Sequence, residues 1–353
     1  MKILIPLTSF GPQGGFRVLS ELANHWIDAG HDVEFLAYQR SNYPNFPTTA
    51  KILWYNNEGE IYSENYQQLQ APIFKLFTVL SALRRAINKQ QYDVILATQC
   101  FTSFPVAFSK KCDKKYYYIQ AYEPDYYPGK NLLSFVLKLL SKTSYKLNLK
   151  KIVNSPLYFN YKEIKADKFV YPGLDLKKFR PMLKPDKDIF IIGCIGRLEP
   201  YKGTAYVVEA YQKLRANSKI NVELHIAFGD TSLEKIEGIK IIKIKNDDEL
   251  AKYYNSVHVI VAPGTYQLGA VHYPVIEAMA CKTPVVTTGY LPADDNNAWI
   301  VPIKDSDAIK AAIEDIITAP EYLNEKIENG FKQIQEFSWD IVSKKCFHIL
   351  NSN

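Results

Sequence analysis

Short apolar runs of strand character alternate along the chain with longer stretches of helical spacing. In the first half the strand runs fall at residues 3–6, 33–36, 94–97 and 116–120, and the helical stretches at about 16–29 and 74–89. A second alternation begins at Phe190 and places strands at 222–227, 239–244, 257–261, 285–287 and 299–301, with helices between them. Strands separated by helical crossovers predict parallel sheets covered by helices on both faces. Residues 172–188, rich in Pro and Lys, read as the linker between two such halves. Residues 130–151 read as one further helix, in which Leu132, Leu133, Val136, Leu140 and Leu147 oppose Lys138, Lys142, Lys146 and Lys150.

The 353 residues suffice for two domains, each able to bury its own core. The 43 Lys and Arg exceed the 37 Asp and Glu by only six charges, so nucleic acid is not implied, whereas contact with an anionic membrane surface is permitted. The five cysteines, Cys100, Cys112, Cys194, Cys281 and Cys346, are scattered and form no C-x-x-C pair. That argues against a disulfide framework or zinc site and fits a reducing cytoplasm. No run approaches the roughly twenty apolar residues of a spanning helix, and strand pattern begins at Lys2, so no export segment is expected. The tyrosines clustered at 116–127 are expected in the core or lining a cleft.

Candidate chemistry concentrates in residues 191–288. There an apolar strand enters the turn Gly193-Cys194-Ile195-Gly196-Arg197-Leu198-Glu199-Pro200-Tyr201-Lys202-Gly203, presenting Arg197 and Lys202 ahead of a helix. Further on, Gly269-Ala270-Val271-His272-Tyr273-Pro274-Val275-Ile276-Glu277 leads through Pro274 into a second helix, and such helix openings bind anions. The two elements suit a diphosphate. In isolation, Gly-Arg and Lys-Gly are also what an ordinary turn with solvated charges looks like, and Glu277 near a helix start is also what a dipole-capping carboxylate looks like. In the first half, Phe10-Gly11-Pro12-Gln13-Gly14-Gly15-Phe16 joins the first strand to the first helix, where adjacent glycines let the backbone approach a ligand closely or simply make a tight turn.

Taken together these motifs resemble the retaining glycosyltransferases of the GT-B fold called family 4, whose pattern is Gly-Arg-Leu-x-x-x-Lys-Gly, then Glu-x7-Glu running into Ala-Met-Ala, then Pro-Val-Val. The resemblance extends over nearly the whole chain, through Gly30-His31-Asp32-Val33, Pro172-Gly173-Leu174-Asp175 and Phe337-Ser338-Trp339. It implies an α/β chain of two Rossmann-like domains facing across a cleft: 1–172 on the acceptor side, 173–338 binding the nucleotide sugar, and a last helix, 339–353, returning to the first domain. In such an enzyme Arg197 and Lys202 stabilise charge on the departing diphosphate. A preorganised donor of this kind is worth on the order of 10² to 10³ in rate. The resemblance assigns Glu277 to the ribose hydroxyls, and Gly14, Gly15, Gly196, Ala270, Val271, His272 and Tyr273 to the nucleotide sugar, with His272 beside the phosphates.

Two departures bear on the donor. The first Glu of Glu-x7-Glu is here Gly269, and the usual Gly-Phe-Gly-Leu is Ala270-Val271-His272-Tyr273. Where many members carry a His, the run Gln120-Ala121-Tyr122-Glu123-Pro124-Asp125-Tyr126-Tyr127 is similar to that of bacterial rhamnosyltransferases of cell-surface polysaccharide synthesis. Gln120 and Glu123 are therefore candidates for the acceptor or the donor sugar, the plain alternative being a polar loop that caps the next helix. The expected activity is metal-independent, retaining transfer of a sugar, a 6-deoxyhexose such as rhamnose from dTDP-rhamnose, to a glycan or lipid-linked acceptor. No cofactor, metal or nucleic acid is expected, and the location is the cytoplasm or the inner face of the membrane. Two alternatives remain open: a nucleotide-sugar 2-epimerase-like enzyme, and a non-catalytic GT-B binding subunit motivated by Gly269.

Overall fold

The computed structural model describes residues 1–65, 76–166, 168–183, 189–196, 199–217, 221–318 and 320–352. It divides into two units, Met1–Gly173 with Trp339–Asn353, and Leu174–Ser338.

The first unit is built on an eight-stranded sheet of β1 (Lys2–Pro6), β2 (Asp32–Tyr38), β3 (Lys51–Tyr55), β4 (Ile61–Tyr62), β5 (Val94–Ala97), β6 (Lys114–Ile119), β7 (Lys150–Val153) and β8 (Lys168–Phe169). Their order is β4-β3-β2-β1-β5-β6-β7-β8, and every pairing except β3 with β4 is parallel. Parallel strands buried on both faces read as continuous apolar runs, as Ile3, Leu4 and Ile5 do, each with no exposed surface. One face is covered by α1 (Gly14–Asp28) and α10 (Trp339–Asn351), the other by α2 (Leu76–Ile87) and α3 (Cys100–Ala107), with α4 (Leu132–Ser144) packed beside α3.

The returning helix expected from the sequence is present: α10 buries Trp339, Val342, Cys346 and Leu350 with the α1 side chains Leu22 and Trp26. Trp26 donates its indole N–H to the Ser343 carbonyl at 3.0 Å, and Phe347 stacks on His31 at 4.1 Å. Each such apolar side chain contributes roughly 1.5–3 kcal/mol by leaving water.

The second unit holds six parallel strands in the order β11-β10-β9-β12-β13-β14. They are β9 (Phe190–Ile195), β10 (Val222–Ala227), β11 (Ile239–Ile242), β12 (Val259–Ala262), β13 (Val285–Thr287) and β14 (Trp299–Ile300). The helices are α5 (Thr204–Asn217), α6 (Asp247–Ser256), α7 (Tyr273–Ala280), α8 (Ser306–Thr318) and α9 (Pro320–Ile334). Strand order reverses between β1 and β5 in one sheet and between β9 and β12 in the other, the switch points at whose carboxyl ends open α/β sheets bind ligands.

Several expectations are revised. The first helix begins at Gly14, two residues before the sequence pattern places it. The helix expected over 130–151 stops at Ser144; Lys150 belongs to β7, with its ammonium over the Tyr116 ring, so the lysine stripe is not one helical face. The linker segment, as far as it is described, packs on the second unit. There Leu174 N–H donates to the Phe337 carbonyl at 2.7 Å, Phe179 is buried, and Asn255 accepts from the Met182 amide at 2.8 Å. Of the helix expected at 74–89, residues 74 and 75 lie outside the described residues. Tyr116, Tyr117, Tyr118 and Tyr122 are core residues, whereas Tyr126 is exposed.

Candidate functional site

In the second unit two loops leave the sheet at its switch point. The first follows β9. Gly196 ends the strand, its N–H on the Ala227 carbonyl at 2.9 Å, and a Cβ there would sit 2.2 Å from Ile226 Cγ2, so this glycine is also required for strand packing. Arg197 lies outside the described residues. A single turn, Pro200–Lys202, follows and closes on Gly203 at φ +76°, where a Cβ would fall 2.2 Å from the Pro263 carbonyl oxygen. Only glycine fits both demands. Lys202 thus leaves a turn clamped to the loop after β12, a clamp reinforced by Thr265 N–H donating to the Tyr201 carbonyl at 2.9 Å.

The second loop, after β12, carries Gly269 to Tyr273. Gly269 has φ +85°, a left-handed conformation that strains a side chain such as glutamate. Its N–H donates to the Gly289 carbonyl at 3.0 Å, while Ala270 N–H donates to the Gln267 carbonyl and Ala270 O accepts from Leu291 N–H. The Ala270 amide is therefore engaged within the protein. Val271 forms a bridge with Leu291, fixing the loop to the segment after β13.

His272 occupies the N-cap position of α7, followed by Tyr273 and Pro274 in the first turn. Its ring stacks on Tyr290 with centres 4.3 Å apart, and its buried Nδ1 has no hydrogen-bond partner. Burial first, and the positive charge of Lys202 second, push the imidazole down to about 3, so the ring is neutral at pH 7. Two of the sequence candidates, on different loops, are thereby electrostatic neighbours.

Glu277 is the fifth residue of α7, one turn beyond the positions that cap a helix, and it is buried. Its Oε2 accepts the Tyr254 hydroxyl of α6 at 2.7 Å. The capping alternative therefore does not describe Glu277: it is a buried carboxylate oriented from a neighbouring helix. Tyr254 and Tyr290, which hold Glu277 and His272, have no signature in the sequence, since the contacts span 23 and 18 positions and depend on how loops and helices stack.

In the first unit Gly14 and Gly15 are the first two residues of α1, and a Cβ on Gly14 would meet nothing within 4 Å. Gln120, just past β6, donates its side-chain amide to the Gly15 carbonyl at 3.3 Å. The fold thus brings together residues 105 positions apart at the first switch point. Glu123 is engaged elsewhere. Its carboxylate accepts the Cys100 amide at 2.8 Å and the Tyr117 hydroxyl at 2.9 Å, and its own N–H donates to the Tyr145 hydroxyl. Burial raises its pKa, and the bonds from Cys100 and Tyr117 oppose that shift. Glu123 anchors the start of α3, a helix that precedes it, whereas the helix that follows is capped by Asn131. Among the described residues no group of three or more His, Cys, Asp or Glu is placed to hold a metal ion.

Residues 189–319, within the second unit, match the family model of glycosyl transferases group 1. The chain is 27% identical over 189 residues to an uncharacterized glycosyltransferase of Methanocaldococcus jannaschii, covering 48% of this chain and 47% of that protein. The chain spans about half the length of the curated relatives it matches. Among solved structures it is similar to the sucrose-phosphate synthase of Thermosynechococcus elongatus, with a TM-score of 0.72 at 18% identity over 99% of this chain and 98% of that one. It is likewise similar to Anabaena HepE in complex with UDP and glucose, with a TM-score of 0.70 at 14% identity over the full length of both. The architecture, two α/β units with parallel sheets, is that of the GT-B glycosyltransferases.

Proposed function

We propose that this protein transfers a sugar from a nucleoside diphosphate to a glycan or lipid-linked acceptor, with retention and without a metal, the second unit holding the donor. The observation that carries this reading is the buried Nδ1 of His272, which lacks a partner, at the start of α7 in the loop after β12, on a ring whose protonation the charge of Lys202 also disfavours. An unmade hydrogen bond at a buried polar atom is costly, and an anionic phosphate oxygen would supply it as a neutral imidazole N–H donates.

On this reading Lys202 and Arg197 stabilise charge as the diphosphate departs, Glu277 accepts from the ribose, and Gln120 beside Gly15 faces the sugar or the acceptor. Glu123 contributes by holding α3. The left-handed backbone at Gly269 supports a donor pocket without the usual carboxylate, and the proposed donor sugar is a 6-deoxyhexose, rhamnose from dTDP-rhamnose, used in cell-surface polysaccharide synthesis. UDP-glucose is the competing donor, because the HepE structure holds UDP and glucose.

A panel of dTDP-rhamnose, UDP-glucose, UDP-N-acetylglucosamine and GDP-mannose tests the reading, scored by release of nucleoside diphosphate in excess chelator. Turnover of dTDP-rhamnose above the others is expected, since a site bonded to one hydroxyl pattern rejects another strongly. Faster turnover of UDP-glucose would replace the sugar and leave the reaction class standing. Epimerised donor without transfer would replace the reaction, and turnover restored only by magnesium or manganese would overturn its metal independence.

A further inference from the structure

Helix α4 is amphipathic in the wrong sense for a helix that simply covers a sheet. Its fully buried side chains are Ser141 and Ser144, whose hydroxyls donate to the Lys138 and Ser141 carbonyls of the same helix. Its apolar side chains point outward instead: Leu132 is 80% exposed, Leu133 69%, and Phe135, Val136 and Leu139 are exposed as well. At spacings of three, four and seven residues, Leu132, Phe135, Val136 and Leu139 make one continuous stripe.

The stripe does not stand alone. α4 packs beside α3, and α3 beside α2. An apolar groove runs over these helices between Leu76, Leu80, Phe104 and Leu140, flanked by the exposed rings of Phe77 and Phe108. Arg84 and Ser81, on its border, also open a second, shallow groove with Arg85, Lys110 and Lys111. Arg84 lies over the Phe108 ring and donates to the Phe108 carbonyl at 3.0 Å, so a cation is fixed at the boundary of the apolar area. Among the described residues the basic groove is lined by no acidic side chain.

We propose that this face of the first unit, α4 with the outer ends of α2 and α3, seats on an anionic lipid bilayer. The leucines and phenylalanines enter the acyl boundary while Arg84, Lys110 and Lys111 meet headgroup phosphates. Exposed apolar area of this extent marks an interaction surface, and a rim of one charge sign selects an anionic partner. No helix among the described residues is long and apolar enough to cross a membrane, so the contact is peripheral. The inference goes beyond the proposed function and is independent of the donor, because vesicle binding is measured without any nucleotide sugar.

The test is co-sedimentation of the full chain with vesicles of phosphatidylcholine alone and of phosphatidylcholine with about a third phosphatidylglycerol. The wild type is expected to bind the anionic vesicles at least about tenfold more tightly than the neutral ones, since each lipid-facing cation adds about 1 kcal/mol at an anionic surface. Leu132→Ser with Phe135→Ser and Leu139→Ser should weaken binding to anionic vesicles at least about tenfold at an unchanged melting temperature. Lys110→Glu with Lys111→Glu should remove the preference for the anionic lipid and spare the fold, giving a second readout if the triple variant misfolds. Absence of binding to either vesicle would overturn the proposal while leaving sugar transfer untouched. So would light scattering that finds a dimer in the wild type and a monomer in the leucine and phenylalanine variant, which would assign the face to a second copy of the chain.

Discussion

The imidazole of His272 lies on the phenol of Tyr290, ring centres 4.3 Å apart and 26° from parallel, while the Tyr290 hydroxyl donates to the Tyr266 carbonyl at 2.7 Å. The loop after β12 is thus pinned from beneath, and the ring at its end is held in one plane with Nδ1 buried and unpartnered. On the proposed reading, a phosphate oxygen would bond to a ring whose orientation is already fixed, which is the condition under which a hydrogen bond adds most to affinity.

His272 predicts an acid-sensitive fold. Its folded-state pKa is depressed to about 3, below the unfolded value near 6.5. Between these values the unfolded chain binds the extra proton, so the contribution of the neutral ring is fully present above about pH 6.5 and is lost as pH falls towards 3. His272→Gln, which cannot titrate, should show a shallower fall in melting temperature over that window than the wild type. Parallel curves would remove His272 from the acid response.

Glu277 predicts a loss of binding more than of folding. Glu277→Gln should weaken binding of the free nucleoside diphosphate by about 1 to 3 kcal/mol, the range for a hydrogen bond to a charged group. Tyr254→Phe removes one of the bonds that orient the carboxylate and should weaken binding by a smaller amount in the same direction. Calorimetry checks both; unchanged affinity with a lowered melting temperature would make Glu277 a structural residue only.

Gly269 predicts that the missing carboxylate cannot simply be restored. At φ +85° a glutamate would carry left-handed strain of roughly 1–2 kcal/mol. Gly269→Glu should lower stability by about that amount without creating turnover of UDP-glucose. Thermal unfolding and the donor panel read the two effects separately.

The alternation of strands and helices was legible because parallel strands buried on both faces carry uninterrupted apolar runs, as at Ile3 to Ile5 and Val259 to Val261. β7 was not, because Lys150 and Lys151 open it and their charge extends the lysine spacing of the helix before it. The inverted face of α4 was hidden for a related reason: periodicity identifies an apolar stripe, and only tertiary packing decides whether the stripe or the serines opposite it are buried. At the site, the turns at Gly203 and the loop at Gly269 could be found from glycine spacing. What holds Glu277, His272 and Glu123 could not, since Tyr254, Tyr290 and Cys100 reach them through packing between separate elements.

Steady-state release of nucleoside diphosphate by the wild type and by Lys202→Ala, each with its melting temperature, tests the central assignment most directly. Lys202 sits on a turn whose geometry is set by Gly203 and Pro263, so removing its ammonium should leave the fold intact. The variant is expected to turn over a donor at least roughly 10²-fold more slowly than the wild type at an unchanged melting temperature, as loss of a preorganised charge donor at a departing diphosphate requires. A variant that keeps more than about a third of the wild-type kcat, far above that hundredfold loss, would contradict the assignment of the second switch point as the place where the diphosphate leaves.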